Sequence, residues 1–258
     1  MFAIFKKEMR SYFINPIGYV FVGIFLALSA LVCCYTTLQS NSYDTSTYFY
    51  YMIFAFVILI PLLTMRSFAE ERKMRTEQML LTAPVTITGM VMGKYLAAFT
   101  MFVGTVLASC INFIPLYIIA DEERSLASYE QNQLIGPETA EIVGSLIGII
   151  LLGAAFIAIG IFISSLTENQ LSAAVASIGV ILLMVIFSLV NQIGSDAEGT
   201  RLISSYAVRF VIDWVSVLSR FSKFGYGIFD FSALLYYLSL AFVFIFLTIR
   251  VYEKRRWG

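Results

Sequence analysis

Long apolar runs alternate with short polar joints along this chain, and the apolar runs are long in a way that soluble proteins rarely tolerate. Six stand out: Ile17–Leu38, Tyr48–Met65, Tyr95–Ile119, Ile142–Leu166, Leu171–Asn191 and Phe231–Ile249. Each has about the 17–25 residues that a helix needs to cross a hydrocarbon layer about 30 Å thick. None carries an acid or a base in its interior. Helices are the expected spanning elements, because a barrel would show strands of about ten residues with period two. The pattern predicts an all-α polytopic membrane protein with six transmembrane helices, in one domain over 1–258.

The polar joints refine this picture. Before the first run, Phe2, Phe5, Met9 and Phe13 recur at spacings of three and four, with Lys6, Lys7 and Arg10 on the other side. That spacing predicts a basic amphipathic helix over residues 1–16, lying in the headgroup layer. Asn15-Pro16 should turn the chain into the first span. In span four, Gly144/Gly148 and Gly160/Ser164 form small-xxx-small pairs that let helices approach closely, most simply within one subunit. The stretch Asp121–Glu141 is expected to be a solvated acidic loop. The segment 192–230 mixes Val208, Val211, Ile212, Val215 and Leu218 with Arg209, Asp213 and Arg220. It is too charged to span; lying on the outer leaflet, or dipping in and returning where protein covers it, are both open, and two readings stand: an outer lid or an interfacial loop helix.

Composition and charge then fix class and orientation. The chain is 59% hydrophobic and only 13% charged, where soluble domains carry about 25% charged residues. Under the six-span topology, Lys6, Lys7, Arg10, Arg66, Arg72, Lys73, Arg75, Lys94, Arg250, Lys254, Arg255 and Arg256 share one side. Arg124, Arg201, Arg209, Arg220 and Lys223 remain for the other. Basic residues favour the cytoplasmic side, so both termini are expected there. The first apolar run is too long for a cleavable signal peptide.

Candidate chemistry is sparse. There is no histidine, which removes the commonest metal ligand and neutral-pH base. Cys33, Cys34 and Cys110 lie in apolar runs and form neither a zinc pattern nor a disulfide framework. No G-x-x-x-x-G-K-[ST] phosphate loop occurs, and "GMVMGK" at Gly89–Lys94 has the wrong spacing. No carboxylate pair lies inside a span. An autonomous enzyme or ion-coupled carrier therefore has little support, and no cofactor is expected in this chain.

One polar joint is unlike the rest. "FAEERKMRTEQMLLTAPVTITG", Phe68–Gly89, packs six charges together and closes on Leu80, Leu81 and Pro84. Glu71 and Arg75 stand four apart in the order that supports a helix. Pro84 should stop that helix near Ala83, and Thr86 or Thr88 should cap the next. A helix across the membrane surface is expected, over a cytoplasmic loop at 66–88; a solvated connector is the plainer alternative.

The arrangement after the second of six spans resembles the ABC-2 type permeases, the membrane subunits of ATP-binding-cassette exporters. The resemblance rests on Glu70, Glu71, Arg72, Thr76, Glu77, Leu80, Leu81, Ala83, Pro84 and Val85, and extends to the N-terminal helix, the span count and the long segment before span six. Within that family the chain looks most like permeases linked to gliding motility and to copper-site maturation. It departs at Arg75, where the family often has glycine; the helix is expected to run on through it. The resemblance implies a type V exporter-like architecture and a non-catalytic permease that couples ATP hydrolysis by a separate ATPase subunit to translocation. That partner would bind ATP and magnesium. The implied coupling site is Glu70, Glu71, Arg72, Thr76, Glu77, Leu80, Leu81 and Pro84, beside the interfacial helix with Phe5, Lys6, Lys7 and Arg10. The other implied partners are membrane lipid and a second permease, in a homodimer or a heterodimer; nucleic acid is not among them. A membrane scaffold that recruits an ATPase without moving substrate is the alternative.

Overall fold

A chain this apolar must satisfy its backbone within helices, and it does. The computed structural model describes residues 1–39, 43–78, 85–126, 136–196 and 216–257. The described helices are α1 (Phe2–Ile14), α2 (Pro16–Cys33), α3 (Ser46–Thr64), α4 (Arg66–Lys73), α5 (Ile87–Ser109), α6 (Ile114–Leu126), α7 (Thr139–Leu166), α8 (Gln170–Asp196), α9 (Leu218–Gly225) and α10 (Phe231–Trp257). Two irregular turns extend them: a π-helical Cys34–Leu38 after α2, and a 3-10 turn at Cys110–Phe113 joining α5 to α6.

Six of these units are long and apolar enough to cross a membrane: Pro16–Thr37, Ser46–Lys73, Ile87–Ser125, Thr139–Leu166, Gln170–Val190 and Phe231–Arg256. They match the predicted runs one for one, but most outrun them. Span two continues through Met65 into α4. Span three starts at Ile87 rather than Tyr95, because the Thr86 side chain accepts from Gly89 N and opens the helix early. That places Lys94 inside a span, and it corrects the reading that no span carries a base. The expected loop at Asp121–Glu141 is helical as far as Leu126.

Lipid tails are as apolar as leucine, so close packing rather than water exclusion orders the bundle. The small residues of α7 put it at the centre. Its apolar window is 67% buried and that of α3 is 72% buried, against 28% for α2 and 22% for α10. A side chain at Gly153 would collide with the Phe102 ring of α5, and one at Gly160 with Thr64 of α3. Gly144 meets the backbone of Phe224 and Gly227, and Gly148 meets Phe221 and Phe224. Both small-xxx-small pairs thus serve packing within the subunit. Aromatic side chains fill the remaining space: Phe25 stacks on Phe56 at 5.6 Å, and Phe56 meets Phe102 edge-on at 5.2 Å. Such ring pairs contribute about 0.5–1.5 kcal/mol beyond their area.

At the end of the bundle away from the termini, α9 wedges between α7, α8 and α3. Ser188 Oγ accepts from Val217 N at 2.7 Å and Leu218 N at 3.3 Å, and Tyr237 Oη donates to Val217 O at 2.9 Å. Phe221 and Phe224 are fully buried. The described part of 192–230 therefore enters the bundle where protein covers its backbone; Val208 to Val215 lie outside the described residues.

Candidate functional site: a charged cluster at the terminal end

Both termini, the base of span two and the starts and ends of three other spans meet at one end of the bundle. α1 ends at Asn15, whose extended backbone (ψ 143°) and following Pro16 swing the chain into α2. The helix then folds back against α5. Its inner face is Ile4, Glu8 and Tyr12, spaced by four; Ile4 presses against Gly93, where an added Cβ would lie 3.2 Å from it. This inner face is a second one, beside the expected apolar face. Phe2 and Phe13 point outward and exposed, while Phe5 and Met9 are half-buried. The helix thus has one face packed on its own bundle and one left exposed.

The inner face meets Lys94, which is 2% exposed. Its ammonium has three donors and three acceptors: Glu8 Oε1 at 3.0 Å, Glu71 Oε1 at 3.0 Å and Ser67 O at 2.6 Å. The Phe68 ring lies 4.9 Å beneath it. Removing a charge from water costs several kcal/mol, so a buried ion needs close partners; for Lys94 all three donors have one. Lys7 reaches the same Glu71 Oε1 at 3.3 Å from the exposed side.

A second set fixes α4. Arg66 pairs with Glu70 at 3.1 Å, donates to Ser11 Oγ at 3.0 Å and sits 5.9 Å over the Tyr12 ring. Tyr12 Oη donates to Leu63 O; burial first, and the Glu8 charge second, push this hydroxyl well above the usual phenol range. Ser164 of α7 accepts from Phe68 N at 3.1 Å and Ala69 N at 3.2 Å and donates to Met65 O at 3.0 Å. It thus bridges the break between α3 and α4. Arg72 contacts Glu77 at 3.6 Å, Glu168 at 3.3 Å and Leu166 O at 3.1 Å. Arg255 of α10 holds Glu77 at 3.0 Å and Ser165 O at 2.7 Å. Phe68 packs on Tyr252 at 4.7 Å.

Two sequence expectations fail here. Glu71 turns to Lys94 and Lys7, not to Arg75. The helix also does not run through Arg75: α4 ends at Lys73 and Arg75 has φ +57°. Thr76 N donates to Glu71 O at 2.9 Å and Arg75 N to Arg72 O at 3.0 Å. This is the Schellman closure, in which the left-handed position is usually glycine. Arginine there bears the steric cost of its Cβ, about 1 kcal/mol.

Of the expected coupling residues, the structure brings Glu70, Glu71, Arg72, Thr76 and Glu77 together; Thr76 Oγ1 also donates to Glu71 O at 3.3 Å. Leu80, Leu81 and Pro84, with Ala83, lie outside the described residues. On α1, Lys6 and Arg10 are exposed and Lys7 joins the cluster. Sequence reasoning missed Glu8, Ser11, Tyr12, Lys94, Ser164 and Arg255. Glu8 did leave a signal, as the one acid in an otherwise basic helix. Lys94 left one too, since it falls seven residues beyond the first residue of a helix capped by Thr86.

A bundle of six apolar spans with a charged cluster knitting the end of span two to its neighbours defines a polytopic integral membrane protein. The profile of the ABC-2 family transporter proteins matches residues 35–250, most of the chain, and the chain belongs to that family. None of the curated proteins matches it.

Proposed function

We propose that the chain is the permease subunit of an ATP-driven exporter, coupled to a separate ATPase subunit that binds ATP and magnesium and docks on the loop 66–88. In this reading the terminal end faces the cytoplasm, in keeping with its basic residues. Two permeases, alike or sister chains, work with two ATPases in the plasma membrane of a prokaryote. This chain supplies no hydrolytic group; it receives a displacement and passes it to the spans.

The observation that carries the reading is the way the tip of span two is fastened. Glu71 ties it to span three through Lys94, Ser164 to span four, and Glu77 to span six through Arg255. Each tie is short, and the first two are shielded from water. A push on residues 74–78 therefore moves several spans together instead of bending one loop. The exposed charges beside the cluster, Lys73 and Arg75 among them, set the orientation of a docked partner more than its affinity.

Site-directed cross-linking tests this. A photo-reactive probe on Thr76→Cys, an exposed position, should capture the co-expressed ATP-binding-cassette subunit in native membranes, and the yield should change when ATP is trapped with vanadate. Capture of no ATPase would contradict the proposal.

A further inference from the structure

The turn that ends α4 is built from Lys73, Met74 and Arg75, and it begins where the span-two unit stops. All three residues are exposed, Met74 at 66%. Arg75 is the one residue other than glycine with a positive φ among the described residues. A side chain there is held against its own steric cost, and such an outlier points to a use for the side chain. The fold itself makes none: the guanidinium has neither an ion pair nor a hydrogen bond among the described residues. The charges of the terminal end also divide by sign. Glu8 and Glu71 are held by Lys94, Glu70 by Arg66, Glu77 by Arg255, Glu168 by Arg72 and Glu253 by Arg250. Every described acid of this end is thus paired within the chain. Lys6, Arg10, Lys73, Arg75 and Lys254 are exposed, and their side chains have no partner among the described residues. A chain with zero net charge therefore turns unpaired bases outward here, and the complement of such a surface is acidic.

Lys73 and Arg75 differ from the other unpaired bases by what stands between them. Met74 is flexible and largely uncovered, the kind of side chain that fills a partner's pocket. A thioether flanked by two free cations is the reverse of an apolar socket rimmed by carboxylates. We propose that this turn is the recognition tip of the docking loop: Met74 enters an apolar socket on the ATPase subunit, and Arg75 pairs with a carboxylate at its rim. Glycine would close α4 with less strain, but it would bring no charge to the partner. The proposal rests on the reading that an ATPase docks on the loop 66–88. It adds which residues of the loop are recognised and what surface the partner presents to them.

The test places the purified full-length chain in phosphatidylcholine nanodiscs and follows binding of its purified ATP-binding-cassette subunit by surface plasmon resonance. A charge at an interface rim acts on association, and an apolar anchor acts on dissociation. Arg75→Glu should slow association about tenfold at low salt. That effect should fade near 1 M salt, where the screening length is about 3 Å. Met74→Ser should speed dissociation about tenfold. Arg75→Gly separates recognition from folding: it should melt higher than the wild type yet associate about threefold more slowly. Lys254→Glu, the same charge change at an exposed site outside the tip, should stay within about twofold of the wild type. Equal rates for the wild type and both Arg75 variants, or an equal loss with Lys254→Glu, would overturn the proposal and leave ATPase docking standing. An Arg75 effect confined to nanodiscs with anionic phosphatidylglycerol would assign the arginine to the membrane surface and overturn it as well. No binding by the wild type would overturn the docking itself, and the tip with it.

Discussion

Lys94 Nζ and Glu71 Oε1 meet at 3.0 Å, joining the first turns of span three to the far end of span two. The side chains are 1% and 14% exposed, so water screens the pair weakly. Lys94→Met would leave Glu8 and Glu71 without their shared cation. Breaking a buried pair from one side costs about 3–5 kcal/mol. Thermal unfolding in detergent should show a large loss for Lys94→Met. Lys7→Met, which removes a partner 60% exposed, should cost less than about 1 kcal/mol. Similar losses for the two variants would contradict the cluster as described.

Arg75 occupies the left-handed turn that closes α4. Arg75→Gly should raise thermal stability, by about 1 kcal/mol at most, because only glycine escapes the Cβ clash. A lower melting temperature would show that the arginine side chain contributes more than its backbone strain costs.

Glycines in the spans should divide by what surrounds them. A Cβ at Gly144 would lie 2.7 Å from Phe224 O and 2.9 Å from Gly227 Cα, both backbone; a Cβ at Gly179 meets nothing within 4 Å. Gly144→Ala should destabilise by about 1–3 kcal/mol. Gly179→Ala should be neutral or stabilising, since alanine is the better helix former. A melting comparison of the two single variants decides it.

At the opposite end, Asp44 accepts from Ser46 N at 2.9 Å and from the Thr47 hydroxyl at 3.0 Å, closing the first turn of α3. Burial pushes its carboxyl up, but the hydrogen bonds from Ser46 and Thr47 outweigh that and hold it below the usual carboxylate range. A depressed carboxylate stabilises the fold above the unfolded value, near pH 4, and loses that contribution as pH falls through the folded value. Wild type should therefore melt above Asp44→Ala at pH 7, with the gap closing below about pH 4. A gap independent of pH would assign the effect to packing.

The spans were legible in the sequence because hydrocarbon demands long uninterrupted apolar runs, and the break at Asn15-Pro16 and the Thr86 cap follow from local backbone chemistry. The charged cluster was legible only in half. "AEERK" marks the place, yet sequence neighbours suggested Glu71–Arg75, whereas the pairing is set by helices brought together over long separations, Glu71 with Lys94 and Glu77 with Arg255. Two further cues were misjudged. A base near the start of an apolar run looks like its boundary, so the expected span begins at Tyr95 although the cap at Thr86 is foreseen, and Lys94 falls outside it. Arg75 in place of a glycine suggested a continuing helix, but the turn forms there despite the side chain.

The most direct test of the coupling claim is co-purification of the tagged chain with its ATP-binding-cassette ATPase, for the wild type and for Leu80→Asp combined with Leu81→Asp. The account predicts that the wild type retains the ATPase and that the double variant, still folded and in the membrane, loses it. Equal retention by both, or no ATPase with either, would contradict it.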